Sequence, residues 1–196
     1  MSSEKKEYWF TSDTHFEHGN SIKHNCRPFS SIEEMREALI KNWNSVVGPK
    51  DIVYHLGDVS WIQKGPIIDD ILYALNGVKH LIIGNHDKKI ISNKAWESVE
   101  STGRVSIGKD VDIYLCHFPW LTWNKSHYGS IHLHGHCHGN LPLDRTVKRW
   151  DMGVDCNNYT PVNLSEILLR SQKVDSYRNS LEQSEDLGLR EPGIFE

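Results

Sequence analysis

Five short polar segments, each directly behind a predicted β-strand, constrain this sequence more than any other feature. The carboxyl ends of strands converge on one rim of a sheet, where active-site loops cluster, so residues far apart in sequence can meet there. Histidine is concentrated as well, because five of the 12 histidines lie between His127 and His138. This arrangement predicts one site assembled from most of the chain. The segments are Asp13-Thr14-His15, Gly57-Asp58, Gly84-Asn85-His86-Asp87, His117 and Gly135-His136-Cys137-His138.

The strands are predicted from short runs of aromatic and β-branched residues that end in turn residues. They cover residues 8–11, 51–56, 80–83, 111–116, 130–134 and 150–154. The polar stretch between the first strand and Phe29 is predicted to be a long loop. A helix is then predicted from a cap at Ser30 or Ser31 to Gly48, because apolar residues recur every three or four positions. Alternating strands and helices favour a mixed α/β architecture in layers.

Two further helices complete the predicted secondary structure. One begins at Pro66 and ends at Gly77, and the other begins after the capping residue Asn163. The 196 residues suggest a single domain, which we expect to span residues 1–170. The polar segment 171–196 is predicted to be a peripheral or mobile tail. The apolar residues that could dock this tail are Leu187, Leu189, Ile194 and Phe195.

Seven side chains in the five segments form a chemically coherent set of metal ligands. Carboxylate oxygens and imidazole nitrogens suit manganese, iron, zinc or nickel, and an asparagine carbonyl adds a neutral oxygen ligand. Two neighbouring divalent ions need a shared anion between them, and Asp58 after Gly57 is the candidate. In strand-like backbone, Asp13 and His15 would point the same way, as would His136 and His138. The seven candidates are Asp13, His15, Asp58, Asn85, His117, His136 and His138.

The five segments, in this order over residues 13–138, resemble the motifs of the calcineurin-like metallophosphoesterases of the small single-domain bacterial and phage type. The resemblance implies an α+β fold, a two-sheet β-sandwich flanked by helices. It also implies two divalent metal ions bridged by Asp58, with manganese favoured and iron, zinc, nickel or magnesium as alternatives. The residues implied for the first ion are Asp13, His15 and His138, and those for the second are Asn85, His117 and His136.

The resemblance further implies roles for residues that do not bind metal. His86 would sit over the substrate phosphate as the catalytic group, and Asp87 would orient its imidazole. Arg27 and His18 are weaker candidates for substrate binding, since they lie in the loop behind the first segment. An arginine suits phosphate through bidentate hydrogen bonds, but Arg27 could equally pin the loop to the domain. Many relatives carry a second aspartate where this sequence has Trp61.

Together these features predict a metal-dependent hydrolase of phosphate esters, in which a hydroxide bridging the metals attacks phosphorus in line. Phosphodiesters are favoured, given the small members of the family and the absence of a visible specificity domain. Phosphomonoesters or nucleotides are alternative substrates of the same site. Two readings are not enzymatic: a scaffold of the same fold, and a structural zinc site that uses Cys137 among the histidines.

Charge and hydropathy narrow the expected partners and location. The 22 basic and 26 acidic side chains give a net charge of −4, which disfavours broad binding of nucleic acid without excluding a local basic groove. A small phosphate ester is therefore the expected partner. The N-terminus has no apolar signal region, and no run reaches the ~18 apolar residues of a membrane span. With no closely spaced cysteine pair, we expect a cytoplasmic protein without a membrane partner, and the oligomeric state stays open.

Overall fold

The computed structural model describes residues 6–109, 111–142 and 144–186, which form two β-sheets flanked by helices. The first sheet contains β1 (Tyr8–Thr11), β2 (Ile52–His55), β3 (Val78–Ile82), β4 (Trp96–Glu100) and β9 (Val162–Asn163). The second contains β5 (Thr102–Ile107), β6 (Val111–Cys116), β7 (Ile131–His134) and β8 (Arg149–Asp151). The strand orders are β4-β3-β2-β1-β9 and β5-β6-β7-β8. The predicted two-sheet architecture is confirmed.

The α-helices of the described residues are α1 (Gly19–His24), α2 (Ile32–Val46), α3 (Pro66–Ala74) and α4 (Leu164–Asp186). Helix α2 begins where predicted because the Ser31 hydroxyl accepts a hydrogen bond from the Glu34 backbone N–H at 3.1 Å. Pro66 begins α3, where a missing N–H costs nothing. Asn163 caps the start of α4 by accepting from the Ser165 N–H at 2.8 Å.

Two hydrophobic layers hold these elements together, because successive residues of a strand face opposite sides of its sheet. One layer packs α2 and α3 on the outer face of the first sheet, and the other fills the space between the sheets. The outer layer includes Met35, Leu39, Trp43, Val53, Ile68, Leu72 and Leu81. The layer between the sheets includes Phe10, Leu56, Ile82, Ile113, Leu115, Leu133, Met152 and Ile167.

Parallel strands in both sheets end on the same side of the molecule. Strands β1, β2 and β3 are parallel neighbours in one sheet, and β6, β7 and β8 are parallel neighbours in the other. The loops behind them are bonded to each other: the Asp13 N–H donates to the Gly57 carbonyl at 2.9 Å. An isolated bridge between Ser12 and Gly153 joins the two sheets at this end. All five polar segments are therefore brought to one rim.

Four short helices and strands differ from the sequence prediction. Residues 19–24 form helix α1 within the stretch predicted to be a loop, and strands β4, β5 and the two-residue β9 were not predicted. All three missed strands lie at sheet edges, where charged residues are common because they discourage pairing with other chains. The sequence of β4, WESVE, shows how such charges weaken the apolar pattern.

Helix α4 crosses the domain boundary expected after residue 170 and continues to Asp186. Ser171 and Val174 are each 8% exposed, and Lys148 Nζ lies 2.7 Å from Asp175 Oδ2, so this part of the helix is packed on the domain. Few apolar residues were needed for this docking, which is why the pattern did not predict it. The apolar residues 187, 189, 194 and 195 lie outside the described residues. Among the described helices, none is both long and apolar enough to cross a membrane.

Candidate metal centre

The loops behind β1, β2, β3, β6 and β7 bring all seven candidate ligands together. Six of them form two groups, and within each group the potential ligand atoms all lie within 4.8 Å of one another. Asn85 joins the second group, because its Oδ1 lies 3.0 Å from His117 Nε2. The first group is Asp13, His15 and His138, and the second is Asp58, His117 and His136.

Asp58 lies between the two groups. Its Oδ2 is 3.7 Å from His15 Nε2 of the first group and 3.6 Å from His117 Nε2 of the second. Its Oδ1 accepts a hydrogen bond from the His86 backbone N–H at 2.9 Å, which fixes the carboxylate in this orientation. A carboxylate oxygen between two sets of imidazole nitrogens is what two closely spaced divalent ions require.

Asp13 shows that the first group suits a cation. Its Oδ2 accepts from the His136 N–H at 3.0 Å, whereas its buried Oδ1 has no hydrogen-bond partner among the described residues. This Oδ1 lies 3.9 Å from His15 Nε2 and 3.8 Å from His138 Nε2. Burial raises the pKa of Asp13 to about 7 and lowers the pKa of His15 to about 2, so the metal-free pocket disfavours charge on either side chain. A divalent cation bound here would compensate the buried carboxylate of Asp13 and would be held also by the neutral imidazole of His15.

Hydrogen bonds on the far side of two imidazoles direct their lone pairs into the site. His117 Nδ1 lies 2.8 Å from the Leu56 carbonyl oxygen, to which it donates, so its Nε2 lone pair faces Asn85. His138 Nδ1 lies 2.7 Å from Asp155 Oδ2, which leaves its Nε2 toward the first group. Such contacts orient metal-binding histidines and raise their basicity.

The backbone of the site is left-handed at five of the seven candidate ligands. The φ angles are 55° at Asp13, 48° at His15, 57° at Asp58, 71° at His136 and 48° at His138. Non-glycine residues rarely adopt this conformation, which costs about 1–3 kcal/mol each and clusters at functional sites. The prediction that strand-like backbone aligns the side chains of Asp13 with His15, and of His136 with His138, is therefore wrong. Their side chains converge because the loops curl sharply after each strand ends.

Two glycines permit the close approach of these loops. A Cβ atom on Gly84 would collide with the Asp58 side chain, and one on Gly135 would collide with the side chains of Ser12 and Asp13. A larger residue at either position would push one ligand loop away from another. This agrees with the role expected for a glycine directly before a ligand.

His86 is positioned beside the two groups but faces solvent. Its side chain is 42% exposed, and its Nε2 lies 3.9 Å from Asp58 Oδ2. It lines a cavity of about 200 Å³. The residues around this cavity are His15, His18, Ser21, His24, Asn25, Asp58, Asn85, His86, His136 and His138. The imidazole can therefore reach a group bound at the centre from outside.

Asp87 differs from its predicted role as a partner of the His86 ring. Its buried carboxylate accepts hydrogen bonds from the backbone N–H groups of Asp58, Val59 and Gly84 at 2.8, 3.0 and 2.8 Å. No hydrogen bond joins it to the His86 imidazole within the part of the chain that is described. The prediction that Asp87 orients this imidazole is wrong. The carboxylate instead holds two ligand loops together, because three backbone donors surround it.

Arg27 is also turned away from the cavity. Its side chain has no exposed surface, and its guanidinium donates to the carbonyls of Asp13 and Thr14 at 2.7 and 2.8 Å. It also donates to both oxygens of Asp155 at 2.8 and 2.9 Å. The prediction of phosphate contact is therefore wrong, and the alternative of pinning the loop fits these bonds.

Asp155 is a residue of the site to which the sequence analysis assigned no role. Its carboxylate accepts from both Arg27 and His138, and so connects the first ligand loop to the last. It lies shortly behind β8, another strand of the parallel set, in the same kind of position as the candidate ligands. That position is the signal that could have identified it.

His18 does reach the cavity. Its ring stacks on Trp61, with centroids 4.4 Å apart and planes at 10°, and its centroid lies 5.3 Å from that of His15. Its Nδ1 is buried without a hydrogen-bond partner among the described residues, and burial lowers the pKa of the imidazole. A role of His18 in substrate binding stays a prediction.

A family model of the calcineurin-like phosphoesterases matches residues 7–177 of the chain. The chain belongs to this family. The resemblance drawn from the five segments is thereby confirmed, and with it a general assignment as a metal-dependent phosphoester hydrolase. The family typically binds divalent metal ions, and the two ligand groups described above are candidate positions for such ions.

Similar proteins share the domain over most of their length. The uncharacterized protein MJ1445 of Methanocaldococcus jannaschii is 37% identical over 174 residues, which cover 86% of this chain and 93% of that protein. The Gene 66 protein of Mycobacterium phage L5 is 30% identical over 181 residues, covering 72% and 82%. A crystal structure of the protein of unknown function AQ665 from Aquifex aeolicus superposes with a TM-score of 0.65 at 26% identity, covering 83% and 98%. The names of these relatives specify no substrate.

Proposed function

We propose that this phosphoesterase hydrolyses phosphodiesters with two divalent ions held by the two ligand groups. The observation that carries the proposal is the position of Asp58, whose Oδ2 lies within 3.7 Å of a nitrogen from each group. A shared carboxylate is required where two cations are held about 3.5–4 Å apart. A structural zinc site surrounds a single ion with four ligands. Such a site would not account for the position of Asp58 between two ligand groups.

Different residues of the chain would bind the metal ions and contact the substrate in such a reaction. When held by the two ligand groups, two divalent ions would supply Lewis acidity that activates water near neutral pH and offsets charge on the phosphoryl group. His117 and His138 are held in fixed orientations by Leu56 and Asp155, so little reorganisation is needed when charge develops. His86, exposed at the edge of the centre, donates a hydrogen bond to a phosphoryl oxygen or a proton to the leaving oxygen.

The charge of the cavity supports a preference for diesters. Its lining contains histidines, asparagines, a serine and Asp58, and neither lysine nor arginine is among the described residues around it. Beyond the charge that two bound ions would supply, a phosphomonoester with close to a second negative charge near pH 7 calls for more cationic partners than a singly charged diester. The mixed nitrogen and oxygen ligands suit manganese, with iron, zinc, nickel or magnesium as alternatives.

A hydrolysis assay on metal-reconstituted protein tests the proposal. The protein is stripped with chelator, reloaded with each metal in turn, and assayed on bis(p-nitrophenyl) phosphate and p-nitrophenyl phosphate. We expect chelator-sensitive hydrolysis, with the diester preferred. His86→Ala should retain metal and lose most turnover, whereas the exposed His127→Ala serves as a matched control and should not change it.

The results separate the alternative functions. Preference for the monoester would contradict the diester assignment and leave the same metal centre as a phosphomonoesterase. Absence of metal-dependent hydrolysis of either ester would contradict the proposal and favour a non-enzymatic scaffold. Global unfolding on removal of the metal would favour a structural zinc site instead.

A further inference from the structure

Trp61 is an exposed aromatic side chain at the edge of the candidate metal centre, with 57% of its surface accessible. Exposure alone means little, because single exposed apolar residues are normal and Tyr128 is 89% exposed. Trp61 differs from Tyr128 because its ring centroid lies 6.1 Å from that of His86, which faces the cavity. An ester bound at the centre therefore has the indole within reach of one of its substituents.

The indole is held in a fixed position. His18 stacks on the ring with centroids 4.4 Å apart and planes at 10°. The Trp61 backbone N–H donates to the Phe16 carbonyl at 2.9 Å, and the Ser60 hydroxyl donates to the same oxygen at 2.9 Å. Little entropy is lost when a rigid aromatic plane receives a ligand, which is what a preorganised binding surface requires.

We infer that Trp61, backed by His18, is a stacking surface for a planar aromatic group carried by the ester, which makes nucleotides the substrate class. The inference rests on the proposed function, since it needs a phosphate at the metal centre. Every nucleobase has a flat π-face, and stacking on an aromatic side chain contributes about 1–3 kcal/mol per base.

A pair of ligands that differ only in the base tests the inference. Adenosine 5′-monophosphate and ribose 5-phosphate are titrated into manganese-loaded, full-length protein by calorimetry, and both ligands are checked for integrity afterwards. We expect the nucleotide to bind about tenfold more tightly than the sugar phosphate. Trp61→Leu should bring this ratio close to one while the affinity for ribose 5-phosphate changes less than twofold. Trp61→Phe should keep most of the ratio, and Tyr128→Ala all of it.

Metal content is measured for every variant, so that loss of the centre is not mistaken for loss of stacking. A ratio near one in the wild type, or an unchanged ratio in Trp61→Leu, overturns the stacking surface alone. Equal weakening of both ligands in Trp61→Leu also overturns it, because Trp61 would then support the metal centre and not the base. Both ligands are monoesters of the kind that diester hydrolysis releases, so a metal-loaded wild type that binds neither overturns the stacking surface, and the proposed function fails as well only if that protein hydrolyses no diester.

Discussion

Two layers of the candidate metal centre differ in exposure and in how they are held. The buried ligand set consists of Asp13, His15, Asp58 and His117, none more than 5% exposed. The exposed rim consists of Trp61, His86 and Phe118, and the Phe118 ring centroid lies 4.7 Å from that of the candidate ligand His136. Trp61 is 57% and Phe118 45% exposed, and the His86 side chain is 42% exposed.

This difference in exposure indicates that the buried ligand set serves the reaction and that the exposed rim serves substrate selection. In the buried ligand set, Asp13, His15 and Asp58 have left-handed backbone, and Asp13 has a raised pKa. Unfavourable features of this kind persist where surrounding structure enforces them, which is typical of catalytic geometry. The rim is exposed and can change without disturbing that geometry. We therefore expect the buried set to govern metal binding and the rim to govern turnover and selectivity.

The largest effect is expected from Asp58→Asn, which removes the charge between the two groups. Because bound metal charge contributes several kcal/mol to transition-state stabilisation, kcat/KM should fall by ~10⁴-fold. Elemental analysis should find fewer than two ions per chain. The exposed Asp70→Asn on α3 is the matched control and should behave like wild type. If Asp58→Asn retains two ions and full activity, the expectation that the buried ligand set governs metal binding is wrong.

His86→Ala tests the other layer. We expect kcat to fall by about 10²–10³-fold, the usual contribution of a positioned acid or base, with both ions still bound. Steady-state kinetics and metal analysis on the same preparation measure the two quantities together. If the variant also loses metal, His86 belongs functionally with the buried set, and the division into layers is wrong.

Asp13→Asn should reveal the stability cost of the buried set. Burial raises the pKa of Asp13 from 3.8 to about 7, so the folded metal-free protein binds more protons than the unfolded chain between these values. The contribution of Asp13 to stability is therefore lost as pH rises through this window. In the absence of metal, the free energy of unfolding of Asp13→Asn should exceed that of the wild type by a few kcal/mol at pH 8 and by much less at pH 5.

Urea unfolding in chelator at the two pH values checks this expectation. The difference in unfolding free energy between the two proteins is the diagnostic quantity. Buried neutral histidines such as His55 also make stability depend on pH, but they destabilise the protein as pH falls. A difference that does not change with pH would show that the pKa of Asp13 is not raised and that its carboxylate is already charged at pH 5 in the folded protein. The buried set would then carry no electrostatic penalty.

The smallest effect is expected from Asp155→Asn, which touches no candidate metal position directly. Loss of a carboxylate that orients a metal-binding histidine typically lowers metal affinity by about 10–100-fold. Competition with a chelating dye measures this affinity. Asp175→Asn, which removes a surface partner of Lys148, is the control and should leave it unchanged. Wild-type affinity in Asp155→Asn would show that His138 needs no support from outside the ligand set.

Much of the fold followed from local sequence patterns. Strands β1 and β6 lie where the aromatic and β-branched runs predicted them, and α2 begins at its predicted serine cap. The edge strands β4 and β5 were missed because charged residues interrupt their pattern. The length of helix α4 was not predicted, since its later turns depend on packing and on contacts such as Lys148 to Asp175.

By itself, the sequence determined the family and the seven candidate ligands, because residue type and position behind a strand are local properties. The tertiary structure determines which contacts the neighbouring side chains make. Asp87 turns to backbone N–H groups, Arg27 is buried against Asp155, and Trp61 stays exposed beside His86. These orientations depend on hydrogen-bond and ring partners from distant segments, which become neighbours only when the strand ends meet.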